Sequence, residues 1–171
     1  MIKAIQKYAF LDRDGVVNVD HGYVHTPELF EFTPRFIDAA LLLQQAGYKL
    51  VLVTNQSGIG RGFYTEAQYV HLCAWLVNTL AKQGVTLSYK YHCPHLPDAG
   101  CTCRKPKTGM IMQHWASHPA RAQDCVLFGD KPSDMACAHA AGITQAYLVD
   151  TQSDPLAFYE AVCRHVAVVV K

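Results

Sequence analysis

The feature that most limits how this chain can fold is a repeated unit: a short apolar run, a polar cluster at its end, then a helix-forming stretch. Tyr8–Leu11 closes on Asp12, Lys49–Val53 on Thr54-Asn55, Leu87–Tyr91 leads to Cys93, and Cys125–Phe128 closes on Gly129-Asp130; Ala146–Val149 is a fifth such run. Nearly unbroken apolar, β-branched runs of this length are strands buried on both faces. Between them lie helices. Thr33 and Pro34 read as an N-cap with proline at the first helical position, and that helix should stop near Gly47. Thr65 and Gln68 form a capping box, Tyr69, Leu72, Cys73, Leu76, Val77 and Leu80 share one face, and Gly84 ends the helix. Further helices are expected over Met110–Ser117, Ser133–Ala141 and Pro155–Arg164.

Strands alternating with helices predict an α/β fold, a doubly wound parallel sheet covered on both faces. Ligands of such sheets bind beyond the carboxyl ends of the strands, where the polar clusters of this sequence fall. With 171 residues, half of them hydrophobic, the chain can bury a real core as one domain spanning residues 1–171. Only about 40 positions separate Asp14 from Thr54, too few for an inserted cap domain. A net charge of +1 gives no net electrostatic case for nucleic acid or a membrane as partner; a small-molecule substrate and a monomeric chain are the expectations. The N-terminus lacks a signal-peptide core, which makes the cytoplasm the expected location. Seven cysteines in a reducing compartment do not predict a disulfide framework, and clustered ones point to metal.

Hydrolysing a phosphate monoester requires a nucleophile, an acid for the leaving oxygen, a cation, and donors for the equatorial oxygens. Asp12-Arg13-Asp14-Gly15 offers two carboxylates two residues apart, which face one way if the chain stays extended. Asp12 could attack phosphorus and Asp14 could act as acid and then base, given surroundings that favour its protonated form. Asp12, Asp130 and the main-chain carbonyl of Asp14 are hard oxygen ligands suited to Mg²⁺. Thr54-Asn55-Gln56-Ser57 adds a hydroxyl and backbone donors, Lys105 a point charge, and Arg104 a planar fork. Each motif alone has a structural explanation as a turn, a helix cap or chance. Their joint placement at strand ends favours chemistry.

Cys93-Pro94-His95 and Cys101-Thr102-Cys103 are two pairs flanking a short loop, and four such ligands fill a tetrahedral zinc site with no open position. The alternative is four unconnected reduced residues. Because Arg104 and Lys105 follow directly, a zinc ion would hold both cations over the phosphate site. Cys73, Cys125, Cys137 and Cys163 read as small core hydrophobes, and His71, His114, His118, His139 and His165 carry no assigned chemistry.

Together, Asp12-x-Asp14-Gly15, Thr54-Asn55, Arg104-Lys105-Pro106 and Gly129-Asp130-x-x-x-Asp134 resemble the haloacid dehalogenase (HAD) superfamily. The zinc loop resembles the branch holding histidinol-phosphate and heptose-bisphosphate phosphatases, and Phe10–His25, Thr54–Gly62 and Arg104–Met110 look like the heptose enzymes. The resemblance implies a capless HAD-like fold. It also implies removal of the 7-phosphate of a heptose 1,7-bisphosphate, a step toward ADP-heptose and the lipopolysaccharide core. It makes Asp12 the nucleophile, Asp14 the acid/base, Asp12, Asp14 and Asp130 the Mg²⁺ ligands, and Cys93, His95, Cys101 and Cys103 the Zn²⁺ ligands. Thr54 and Lys105 match the groups that stabilise the phosphoryl, and Arg104 matches the one that recognises substrate. Asp20, His21, Gly22, Tyr23, Asn55, Gln56, Ser57 and Lys131 match positions lining the substrate site, with Arg13 beside them. Arg61 could meet a distal phosphate or stand solvated. The short His95–Cys101 loop also occurs in histidinol-phosphate phosphatases, which keeps that substrate open. A non-catalytic sugar-phosphate-binding module is the reading from another class, and a nucleic-acid 3′-phosphatase a weaker one.

Overall fold

A computed structural model describes residues 6–169. Its five strands are β1 (Lys7–Leu11), β2 (Tyr48–Asn55), β3 (Leu87–Cys93), β4 (Val126–Gly129) and β5 (Gln145–Leu148). They form one parallel sheet in the order β3-β2-β1-β4-β5. The chain moves outward from β1 through β2 to β3, then returns to the other flank of β1 with β4. Strand order therefore reverses between β1 and β4, and the connections leaving those strands diverge to open a crevice at their carboxyl ends. Leu11 pairs with Leu52 on one side and Phe128 on the other, so Asp12, Thr54 and Asp130 all emerge at that crevice.

Alternation along the strands builds two cores. Ala9, Leu11, Leu50, Leu52, Val126 and Phe128 face a layer made by α1 (Phe36–Gln45), α3 (Glu66–Lys82) and α6 (Ala157–Val169). Tyr8, Phe10, Val51, Val53 and Leu127 face α4 (Gly109–Ser117) and α5 (Pro132–Ala140). Each fully buried Leu or Phe on these faces contributes about 1.5–3 kcal/mol. A single turn of helix, α2 (Ser57–Gly60), follows β2. No helix among the described residues is long and apolar enough to cross a membrane.

The α3 capping box forms as its sequence dictates: Gln68 N donates to Thr65 Oγ1 (3.2 Å) and Thr65 N to Gln68 Oε1 (2.8 Å). The start of α1 differs from expectation. The Thr33 hydroxyl donates to the Val16 carbonyl (2.6 Å) instead of capping the helix. Thr33-Pro34 therefore forms a turn, Arg35 takes a left-handed φ of 60°, and the helix begins at Phe36. Cys125 and Val149 fall just outside β4 and β5. The last helix outruns its expected end at Arg164: Val166–Val169 are helical, while Val170 lies outside the described residues.

Two histidines without assigned chemistry are structural. His165 is buried and shared by the Tyr48 (2.8 Å) and Tyr147 (3.2 Å) hydroxyls. His114 is buried between β3 and its own helix, with Nδ1 at 3.1 Å from the Tyr91 hydroxyl and its ring 4.4 Å from that of Tyr8. Burial, and secondarily His118, push His114 down to about 4. An unfolded histidine takes up its proton near pH ~6.5, so the folded form is at full stability above that pH and loses it as pH falls toward about 4. The loss is on the order of 2–3 kcal/mol across the window. Denaturant unfolding at a series of pH values should show this decline, and His114→Phe should flatten it.

Candidate active site

At the end of β1, Asp12 N continues the ladder by donating to Phe128 O (3.0 Å), which fixes its backbone. The chain then turns at once. The Arg13 carbonyl accepts from the amides of Val16, Val17 and Asn18, which closes a tight loop around Asp14 and Gly15. Gly15 makes this possible: its φ is +86°, and a Cβ there would lie 2.4 Å from Asp130 Oδ2. Only a bare backbone lets the β1 and β4 loops approach so closely.

Lys105 closes the floor of the site. Its ammonium donates to Asp12 Oδ1 (2.8 Å) and the Val53 carbonyl (2.8 Å) and pairs with Asp134 Oδ1 (2.6 Å), which takes up its three N–H donors. Its main chain is held as well. Asn55 Oδ1 accepts from Lys105 N (3.0 Å) and Asn55 Nδ2 donates to Lys105 O (3.2 Å), so the asparagine of Thr54-Asn55 grips a residue fifty positions away. Burial alone would raise the Asp12 pKa, but the Lys105 ammonium outweighs it and holds Asp12 below the ordinary carboxylate range. Asp130 meets only the more exposed Lys131 ammonium, at 3.3 Å. Burial, then the neighbouring Asp12 charge, push Asp130 up to about 7.

The carboxylates of Asp12, Asp130 and Asp134 lie within 4.8 Å of one another and could hold a metal ion. Both Asp134 oxygens are already committed, one to Lys105 and one to the Lys131 main-chain N–H (3.1 Å). The free lone pairs belong to Asp12 and Asp130. Hard oxygens with excess negative charge suit Mg²⁺.

Asp14 borders the cleft with its carboxylate fully framed. Oδ1 accepts from Arg13 Nη2 (2.8 Å) and Asn18 Nδ2 (3.0 Å), and Oδ2 from Gln56 Nε2 (3.0 Å). Above it opens a cleft of about 440 Å³. Of the expected site residues, Asp14, Asp20, Gly22, Tyr23, Asn55, Gln56, Ser57, Arg104, Lys105 and Lys131 line it. Asp12, Thr54 and Asp130 sit at its base on the strand ends.

Three others stand elsewhere. The Arg13 side chain is buried and turned to Asp14 and the Val24 carbonyl (2.6 Å), so it braces that carboxylate instead of facing the cleft. His21 points outward to Glu31 (2.7 Å), and Arg61 is exposed outside the lining. The sequence reading passed over Tyr64 and Ser133, which line the cleft, and the Asp134 bond to Lys105. Asp134 carried a signal in its spacing from Asp130; a tyrosine before a helix cap and a serine in a first turn carried none.

The Cys/His loop closes in space. His95 Nδ1 lies 3.4 Å from Cys93 Sγ and 3.3 Å from Cys103 Sγ, and Cys93 Sγ lies 3.7 Å from Cys101 Sγ. A tetrahedral zinc with ordinary Zn–S and Zn–N bonds sets donors about 3.5–3.8 Å apart, so this Cys₃His set fits the ion. The loop also supports the cleft. Cys93 O accepts from Gln56 N (2.7 Å), Pro94 O from Gly60 N (3.0 Å), and His95 O faces Arg104 Nη1 (3.5 Å).

Residues 102–168 match the family profile described as HAD-hydrolase-like. The chain is 47% identical over 149 residues to a D-glycero-beta-D-manno-heptose-1,7-bisphosphate 7-phosphatase of Yersinia pestis, covering 83% of this chain and 79% of that protein. It is 41% identical over 152 residues to the alpha-anomer 7-phosphatase of Photorhabdus laumondii, covering 85% and 83%. The chain belongs to this family of HAD-like heptose-bisphosphate phosphatases. A crystal structure of the D,D-heptose 1,7-bisphosphate phosphatase from B. bronchiseptica, complexed with magnesium and phosphate, superposes with a TM-score of 0.77. The two are 31% identical, over 92% of this chain and 86% of that one.

The crowding at the base gives a sharp expectation for this family member. A Cβ on Gly129 would lie 2.3 Å from Asp134 Cβ, and Asp134 cannot retreat without releasing Lys105. Gly129→Ala should lower the unfolding free energy by about 1–3 kcal/mol. It should also reduce phosphate release at least tenfold, read by denaturant unfolding and a phosphate assay.

Proposed function

We propose that this chain is a Mg²⁺-dependent phosphatase that removes the 7-phosphate of D-glycero-D-manno-heptose 1,7-bisphosphate on the way to ADP-heptose for lipopolysaccharide. It would work as one cytoplasmic, monomeric domain. The observation that carries the reading is the pairing of an ionised, Lys105-bound Asp12 with Asp14 at the floor of a polar cleft. A module that only binds a sugar phosphate gains nothing from carboxylates clustered against an anionic ligand.

Asp12, Asp130 and the main-chain carbonyl of Asp14 would hold the Mg²⁺, whose charge offsets that of the phosphate and the nucleophile. Asp12, kept ionised by Lys105, attacks phosphorus while Asp14 gives a proton to the departing sugar oxygen. Asp14 then takes a proton from the water that hydrolyses the aspartyl phosphate. Thr54 donates to a phosphoryl oxygen. Arg104 and Lys131, the lining cations outside the floor, receive the substrate's second phosphate. Zn²⁺ on Cys93, His95, Cys101 and Cys103 keeps the loop that carries Arg104 in place.

Asp12→Asn should retain the circular dichroism of the wild type and less than about a thousandth of its turnover. Comparing kcat/KM for the two heptose bisphosphate anomers and histidinol phosphate tests the substrate. A preference for histidinol phosphate would overturn the assignment, and no Mg²⁺-dependent release from any sugar phosphate would favour a binding module. Because the zinc loop bonds to Gln56 and Gly60, chelating the zinc should lower kcat at concentrations where the unfolding transition is still intact. Metal-free protein, checked by elemental analysis, that keeps full turnover would refute that role.

A further inference from the structure

Tyr64, just ahead of α3, is buried, and the chemistry above does not use its hydroxyl. That hydroxyl donates to Gln56 Oε1 at 2.5 Å, while Gln56 Nε2 donates to Asp14 Oδ2 (3.0 Å) and Thr54 Oγ1 (2.8 Å). A side-chain amide has a donor end and an acceptor end of almost equal shape, so its partners decide which way it lies. With the Tyr64 phenol donating to one end, the other must present its N–H groups to Asp14 and Thr54. The reversed amide would set oxygen against carboxylate oxygen.

The ring that does this is itself fixed. A Cβ on Gly58 would lie 2.1 Å from Tyr64 Cε1, and the His25 ring stacks on Tyr64 with centroids 5.1 Å apart and planes 2° from parallel. Burial pushes the phenol up to about 12, so it carries its proton throughout the neutral range.

Two consequences reach the reacting atoms. Asp14 Oδ1 already accepts from Arg13 and Asn18, whereas Oδ2 accepts from Gln56 alone, so Oδ2 is the oxygen with a lone pair left to carry a proton. Thr54 Oγ1, acting as acceptor toward Gln56, keeps its own O–H free to donate elsewhere. We propose that Tyr64 is a positioning residue which, through the Gln56 amide, selects the proton-carrying oxygen of Asp14 and directs the Thr54 hydroxyl to the phosphoryl group. This rests on the phosphatase reading above. The proton on Oδ2 passes to the ester oxygen as its bond to phosphorus breaks and the Asp12–phosphorus bond forms. In the second step water returns a proton to Oδ2 as its oxygen displaces Asp12.

Tyr64→Phe keeps the ring between Gly58 and His25 and removes only the donor. With Mg²⁺ present, it should lower kcat about tenfold and leave KM within about twofold. Gln56→Leu should lower kcat by at least as much, and adding Tyr64→Phe to it should cost nothing further, because the path runs through the missing amide. A Tyr64→Phe enzyme with full kcat, or losses that multiply in the double variant, overturns the proposal. Measuring glycerol phosphate alongside the heptose bisphosphate separates the two readings. Wild-type turnover of the simple ester alone refutes the substrate assignment, while the Tyr64 effect is still read on that ester.

Discussion

The buried ammonium of Lys105 is the interaction on which the rest of the site depends. It joins the end of β1 through Asp12, the last residues of β2 through the Val53 carbonyl, and the start of α5 through Asp134. Removing two carboxylates and an ammonium from water costs several kcal/mol per ion, and the arrangement is tolerable only because every Lys105 N–H has an acceptor. Geometry alone does not balance the charge. Asp12, Asp130 and Asp134 face the buried Lys105 and the exposed Lys131, which leaves negative charge in excess for a cation to offset. Asp130 meets only the exposed Lys131 ammonium at 3.3 Å, and burial beside the Asp12 charge still raises its pKa. The same fold that buries a cation against Asp12 thus leaves room in its charge balance for a second one.

That convergence follows from strand order. β1 lies between β2 and β4, and the register aligns Leu11 with Leu52 and Phe128, so three connections leave the sheet at one level. Two glycines then remove the obstacles to close approach. Gly15 admits the Asp130 carboxylate and Gly129 admits Asp134, each at distances no Cβ could share. Sheet topology brings the carboxylates to one place, and the glycines set how near they come.

Local sequence signals foretold local structure well. The Thr65–Gln68 cap, the five strands and the helix after Pro132 all formed within a few residues of their expected limits. Thr33 misled because its hydroxyl found a partner seventeen positions away, a competitor invisible to a capping rule. The site divides along the same line. Asp12, Asp14 and Asp130 could be picked out because each closes an apolar strand. Tyr64 could not, because its role depends on Gln56 turning toward an aspartate forty-two positions earlier. Arg13 and His21 lie inside a motif that borders the cleft, yet their side chains satisfy Asp14 and Glu31 instead. A motif fixes the path of the backbone; which side chains face the ligand is decided by what else they can bond.

The parts of the site therefore differ in how firmly they are held. Asp12 and Lys105 are anchored to the sheet, and their positions change only if the core does. Gln56, Gly60 and Arg104 meet the Cys/His loop through single main-chain bonds to Cys93 and Pro94 and a long contact at His95. On the proposed reading, chemistry common to phosphate esters would belong to the first group, and recognition of a particular sugar to the second. In a domain without an inserted cap, this second group is what short segments can vary. A metal held by Cys93, His95, Cys101 and Cys103 would give those segments the rigidity that a larger enzyme obtains from a packed cap domain. The loop's tight Cys₃His geometry and its direct bond to Gln56 are for that reason one device. The loop holds the Gln56 backbone from one side, as the Tyr64 hydroxyl orients its amide from the other.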